Sequence, residues 1–257
     1  MAAPSPTNLA GNPSLDPAAE AAGVFADVWA GIEKFYRHDD LNFPRQIVWL
    51  NGAPGAGKGT NVRAVQERLG ITAKPLVCSD LFNSPEFKRI KDSGALIGDR
   101  EVIGLLLRAL LSPEYANGVV VDGYPRTRTQ AETLKLFHAK LAELQSEIPA
   151  KPVPSFRVVV IDVSEQESVA RQLKRGREAL AHNAQVKATG VGTLLEMRAT
   201  DTDEALVRKR YQEFVAKTIG ALEVLKGVFP YHLINGSGSI EETRQNILKE
   251  FASASKA

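Results

Sequence analysis

The 257-residue chain carries one cysteine, Cys78, which excludes an internal disulfide framework and any zinc site built from several thiolates. It has no run of 18 apolar residues, so the sequence predicts no membrane helix. The first twenty residues, MAAPSPTNLAGNPSLDPAAE, lack the basic start and apolar core of a secretory signal. With the lone thiol, this predicts a cytoplasmic protein. Excess charge is missing too: 32 Lys and Arg against 30 Asp and Glu leave +2, too balanced to hold nucleic acid by bulk charge. Any anion must be held by local geometry. The four histidines, His38, His138, His182 and His232, show no metal-ligand or nucleophile-elbow spacing, so they are expected at the surface and no general base is assigned. Asn235-Gly236-Ser237 reads as a turn rather than a glycosylation site. What is present, 44% hydrophobic and 24% charged residues, suffices for a globular core.

Residues 1–17 are rich in Pro, Ala, Ser and Asn and predict a flexible tail. Val24, Phe25, Val28, Trp29, Ile32, Phe35 and Tyr36 then recur at helical spacing, predicting an amphipathic helix from Pro17 to about Arg37. Packing on the main domain is the ordinary use of such a stripe, and association with a partner is the other. Residues 1–44 are thus read as tail plus helix, and 45–257 as the main domain. Short apolar runs at Gln46–Leu50, Pro75–Cys78, Gly118–Val121, Arg157–Val163 and Tyr231–Ile234 alternate with helical stretches near 58–69, 99–112, 127–146, 164–175, 201–226 and 239–253. That alternation predicts an α/β fold, a doubly wound five-stranded parallel sheet with helices on both faces. The stretch at 201–226 carries Val207, Tyr211, Phe214, Thr218, Leu222 and Leu225 along one face.

The first strand runs straight into GAPGAGKGT, residues 52–60, and a helix follows. Glycines 52, 55, 57 and 59 leave the loop's amides free to wrap a phosphate, and the helix start adds partial positive charge. Lys58 reaches the outer phosphates as a point charge, and the Thr60 hydroxyl is placed to help hold Mg²⁺. This is a P-loop in its strand–loop–helix context, and the expected occupant is a nucleoside triphosphate. The strand at 118–121 ends in Asp122, which should face the same crevice and organise Mg²⁺ through water. Asp80 is the second candidate, with a helix N-cap as the plainer role for an acidic residue after a strand.

GAPGAGKGT, together with DGYPRTRTQA at 122–131, resembles the nucleoside monophosphate kinase family, over about residues 46–254. GALIGD at 94–99 is similar to the family's stretch beside the acceptor base, Arg171, Arg175 and Arg177 lie where its lid-leading arginines stand, and RATDTDEALVRKR at 198–210 resembles its RxDDxxExxxxR segment with one residue inserted. The resemblance implies a P-loop NTPase fold with small acceptor-binding (78–99) and lid (176–199) insertions. It implies that Gly55, Ala56, Gly57, Lys58, Gly59, Thr60, Arg171, Arg175 and Gly238 contact ATP. The acceptor nucleotide would meet Cys78, Asn83, Gly123, Tyr124, Pro125, Arg126 and Gln130, while Arg198 and Arg210 reach the phosphates between. Lys58, Arg126, Arg175, Arg198 and Arg210 would carry the catalytic charge, Arg suiting phosphate through its planar fork.

The acceptor side departs from the family pattern. Cys78 stands where adenylate kinases carry threonine, Asn83 stands in place of an arginine that grips the acceptor phosphate, and the segment between Asp80 and Asp99 is about two helical turns short. The implied activity is transfer from ATP, with Mg²⁺, to a nucleoside monophosphate, with AMP first. A UMP/CMP-type kinase, a nucleotide-binding regulatory protein without transfer, and a P-loop kinase for another small acceptor are the alternatives. The partners are nucleotides, with no nucleic acid or membrane. A monomer is expected, its N-terminal helix offering a surface for association.

Overall fold

The computed structural model describes residues 16–82, 98–195, 197 and 199–253. Strands β1 (Gln46–Gly52), β2 (Leu76–Val77), β3 (Val119–Asp122), β4 (Ser155–Asp162) and β5 (Tyr231–Asn235) form one sheet in the order β2-β3-β1-β4-β5. Every pairing is parallel. Helices α1 (Pro17–Glu33), α2 (Lys58–Leu69), α3 (Asp99–Leu110), α4 (Arg128–Glu147), α5 (Glu165–Thr189), α6 (Glu204–Glu213), α7 (Gly220–Glu223) and α8 (Ile240–Ser253) surround it. With β1 central, Leu50 is registered against Asp122 of β3 and Gly52 against Ile161 of β4. The carboxyl ends of three strands therefore open on one crevice, at the point where the strand order reverses.

The strands read as unbroken apolar runs because both faces are covered, yet alternate side chains serve different cores. Ile47, Trp49, Val119, Val121, Phe156 and Val158 share one core with α1, α3 and α4. Val48, Leu50, Val120, Val159 and Ile161 share the other with α2 and α8. Helix α1 is built into the first of these. Asp16 caps it by accepting from the Ala18 amide at 3.1 Å. Val28, Trp29 and Ile32 are buried, each such side chain contributing about 1.5–3 kcal/mol. Thr129 Oγ1 of α4 donates to Glu20 at 2.9 Å and Arg100 of α3 pairs with Asp27 at 3.3 Å. The apolar stripe thus packs on the domain, but the helix stops at Glu33, leaving Phe35 and Tyr36 exposed.

Four expectations are corrected. The second strand is only Leu76–Val77, because the chain turns into a short 3₁₀ helix at Cys78–Phe82. Helix α5 does not end near 175 but runs to Thr189, through the first half of the segment expected to be a lid; its C-terminal half is mostly exposed, carried by helix-forming residues rather than by an apolar stripe. The stretch 201–226 is not one helix. A 3₁₀ turn at Ala199–Thr202 precedes Asp203, whose carboxylate caps α6 through the amides of Ala205 and Leu206. A π turn at Phe214–Ile219 then separates α6 from α7. Finally, His232 is not at the surface: it is 4% exposed, its ring 4.8 Å from that of Phe251 and its Nδ1 3.3 Å from Glu250. Among the described residues no helix is long and apolar enough to cross a membrane.

Candidate active site

The loop between β1 and α2 adopts the shape its glycines allow. Gly57, at φ 86°, forms the left-handed N-cap of α2, and Gly55, at φ 80°, would bring a Cβ to 2.8 Å from the Ser168 carbonyl. Ser168 Oγ of α5 donates to the Pro54 carbonyl at 2.6 Å, bracing the loop from behind. Lys58 Nζ curls over it, donating to the carbonyls of Gly52 at 2.8 Å and Ala53 at 3.1 Å.

Burial lowers the Lys58 pKa to about 8, Asp122 opposing the shift and Arg126, Arg210 and Arg175 adding to it. The unfolded chain therefore binds a proton there that the nucleotide-free fold gives up between about pH 8 and the ordinary lysine value. The Lys58 contribution to stability rises with pH through that window and is unfavourable below it. A Lys58→Met variant is accordingly expected to be more stable than the parent at pH 7 by about 1–3 kcal/mol, an advantage that shrinks toward pH 10. Denaturant titrations without nucleotide at both pH values check this, and an advantage independent of pH would refute it.

Above the loop lies a cleft of about 610 Å³. Asn51, Gly52, Pro54, Gly55 and Gly57 through Thr60 form its floor, with Asp122 and Gly123 from the end of β3 and Arg126 and Thr127 just beyond. Arg175 of α5, Arg210 of α6 and Phe214, Lys217 and Thr218 of the π turn line the opposite side. The two arginines are held there by a group that sequence reasoning passed over. Asp201, 3% exposed, accepts from Arg175 Nε at 2.7 Å and from Arg210 at 2.9 Å. A side chain at Gly176 would overlap the Asp201 carbonyl, so only glycine lets α5 approach this turn. The acidic position within RATDTD was visible in the motif, but nothing local distinguished a buried carboxylate from a helix cap. Because the arginines are partly exposed, Asp201→Ala is expected to cost only about 2 kcal/mol, below the range for a fully buried pair; a denaturation midpoint unchanged from the parent would remove the carboxylate from this role.

Of the residues expected at the site, Gly55, Gly57, Lys58, Gly59, Thr60, Asp122, Gly123, Arg126, Arg175 and Arg210 all line the cleft. Others sit behind it. Ala56 is buried beneath the loop, and Tyr124 is fully buried with its ring 5.7 Å from that of Trp49. Pro125, whose peptide bond is cis, presents its carbonyl to Asn51 Nδ2 at 2.7 Å. Gln130 accepts from the Arg126 amide at 2.8 Å and donates to Asp99 at 2.8 Å, while the Thr127 hydroxyl meets the same carboxylate at 2.7 Å. Cys78 is 2% exposed within the core, its thiol pKa pushed up by burial. Asp80 is exposed on its 3₁₀ turn beside Ser79. Arg171 donates to the carbonyls of Gly236 at 2.9 Å and Gly238 at 3.0 Å, fastening that loop to α5. Asn83 and Arg198 lie outside the described residues.

The sequence matches the family described as an AAA domain over residues 51–186, the span from the P-loop into α5. It is also 31% identical over 212 residues to an adenylate kinase of Leptospira biflexa, covering 80% of this chain and 98% of that protein. The chain belongs to the adenylate kinase family. Two further adenylate kinases, from Flavobacterium psychrophilum and Sorangium cellulosum, are each 30% identical, covering 77% and 79% of this chain and 94% of their own lengths. As a member of the adenylate kinase family the chain is an ATP-dependent phosphotransferase of the nucleoside monophosphate kinase type.

Proposed function

We propose that the protein transfers the γ-phosphoryl group of ATP to AMP, forming two ADP. The observation that carries this reading is the convergence of Lys58, Arg126, Arg175 and Arg210, distant in sequence, on one cleft floored by a glycine loop. The loop amides and the α2 N-terminus would take the donor's phosphates. On binding, Lys58 exchanges two backbone carbonyls for phosphate oxygens. Arg126, one residue past the cis-proline bend, faces the acceptor's phosphate, and Arg175 and Arg210 flank the group in transit. An acceptor phosphate oxygen forms the new P–O bond as the bond to the bridging β–γ oxygen breaks, and ADP leaves with that oxygen. The residues' part is alignment and charge neutralisation. Thr60 and Asp122 line the same cleft with hard oxygen donors, a set that fits Mg²⁺ held mainly by water and phosphate. The ion would shield charge between the β- and γ-phosphates.

Support for AMP comes from the relatives' names and from the overall likeness, which at about 30% identity reaches across the family. A coupled assay of MgATP against AMP, UMP, CMP and GMP tests the reading. Fastest ADP formation with AMP is expected. A clear preference for UMP or CMP would move the assignment to a pyrimidine acceptor, and tight ATP binding with no transfer would replace it with a regulatory role.

A further inference from the structure

The cations of the cleft are not equivalently committed. Arg175 and Arg210 share the Asp201 carboxylate, and Lys58 is folded onto the loop carbonyls. Lys58, Arg126 and Lys217 are the lining cations without a carboxylate partner among the described residues, and Arg126 Nε, like Lys58, donates to a carbonyl, that of Gly123 at 2.8 Å. Lys217 makes no hydrogen bond or ion pair there at all, even with Glu213, the carboxylate one turn back that lines the same cleft. The backbone segments that carry Arg126 and Lys217 are joined, since Thr218, next to Lys217, is 6% exposed and donates its hydroxyl to the Arg126 carbonyl at 3.2 Å.

The local backbone explains how Lys217, an exposed residue, comes to border the cleft. The π turn at Phe214–Ile219 holds one more residue per turn than an α-helix, so Phe214, Lys217 and Thr218 all reach the lining before α7 resumes. Such a widened turn sacrifices regular hydrogen bonding and recurs at functional sites. Arg126 and Lys217 border one cleft as like charges, and a dianion bound there is attracted to both.

We infer that Lys217 is an acceptor-binding residue, its ammonium pairing with Arg126 to hold the phosphate of the incoming nucleoside monophosphate. Its turn is tied through Thr218 to the bend after β3 that carries Arg126. This inference rests on the proposed kinase activity and names a residue of that same site.

The test is steady-state kinetics of Lys217→Ala and Lys217→Arg against the parent, varying AMP and ATP separately, with thermal shifts by AMP alone as a second readout. Lys217→Ala is expected to raise the KM for AMP roughly tenfold, the scale of one charged hydrogen bond, while the KM for ATP changes less than about twofold. Lys217→Arg should recover most of the loss, and the thermal shift by AMP should shrink in parallel. An unchanged KM for AMP in an active alanine variant overturns the inference alone. A rise confined to the KM for ATP overturns it as well, by moving Lys217 to the donor side. A parent enzyme that transfers to no nucleoside monophosphate removes the underlying kinase reading instead, so the two failures are distinct.

Discussion

Lys58→Ala is expected to lower kcat by about 100-fold or more, with the fold intact. The side chain bridges two carbonyls of the loop, those of Gly52 and Ala53. Its burial among Arg126, Arg175 and Arg210 is electrostatically unfavourable until a polyanion enters. The energy that the fold spends holding this ammonium near the loop is returned when charge builds on the transferring phosphoryl, where removing one fixed donor costs about 100- to 1000-fold. The KM for ATP should rise less than kcat falls, because the loop amides still cradle the donor. Stopped assays with saturating MgATP and AMP measure this. A variant within about threefold of the parent turnover would take Lys58 out of the transfer step and leave the loop as a binding device only.

Stability and activity thus pull against each other at position 58, and the Lys58→Met comparison at pH 7 and pH 10 reads the first half of that opposition without substrate. The same logic separates Asp201 from Lys58. Asp201 holds cations already paired, so its loss should appear in stability as well as rate. Lys58 should appear in rate, with the opposite sign in stability.

The P-loop, the five strand positions and the acidic end of β3 were legible because each is a local pattern with a steric or solvation cause. Glycines are required where main chain must approach phosphate, and buried parallel strands need unbroken apolar runs. Helix α5 beyond Gly176 was not legible as helix, because its exposed half is built from Ala, Gln, Lys and Glu with no stripe to count. The π turn escaped for a different reason: Val207, Thr218, Leu222 and Leu225 are buried as the helical period implies, but an inserted residue leaves no mark in the alternation of apolar and polar side chains. Asp201 and Lys217 share the remaining cause. Their roles depend on which charges lie across the cleft, information held in tertiary contacts between α5, the turn at Ala199–Thr202 and the bend after β3.

Arg126→Ala should injure the acceptor half of the reaction most. The bend after β3 is held by Asn51 on the Pro125 carbonyl, Gln130 on the Arg126 amide and Thr218 on the Arg126 carbonyl, so the backbone at this residue is fixed from three directions. Truncating the side chain leaves those bonds in place and removes the guanidinium together with its Nε donation to the Gly123 carbonyl, so the variant tests charge and fork geometry on a backbone that is still held. Loss of one partner from such a charged pairing is expected to lower kcat/KM for AMP by roughly 100-fold. The loss should divide between a raised KM for AMP and a lowered kcat, since in the proposed reaction the same arginine orients the acceptor oxygen for attack, while the KM for ATP stays near the parent value. Arg126→Lys should recover charge without the fork and regain only part of the rate. Kinetics unchanged for AMP but impaired for ATP would reverse the assignment of the two halves of the cleft, because Arg126 would then sit on the donor's phosphates and the acceptor would have to enter from the side of Arg175 and Arg210.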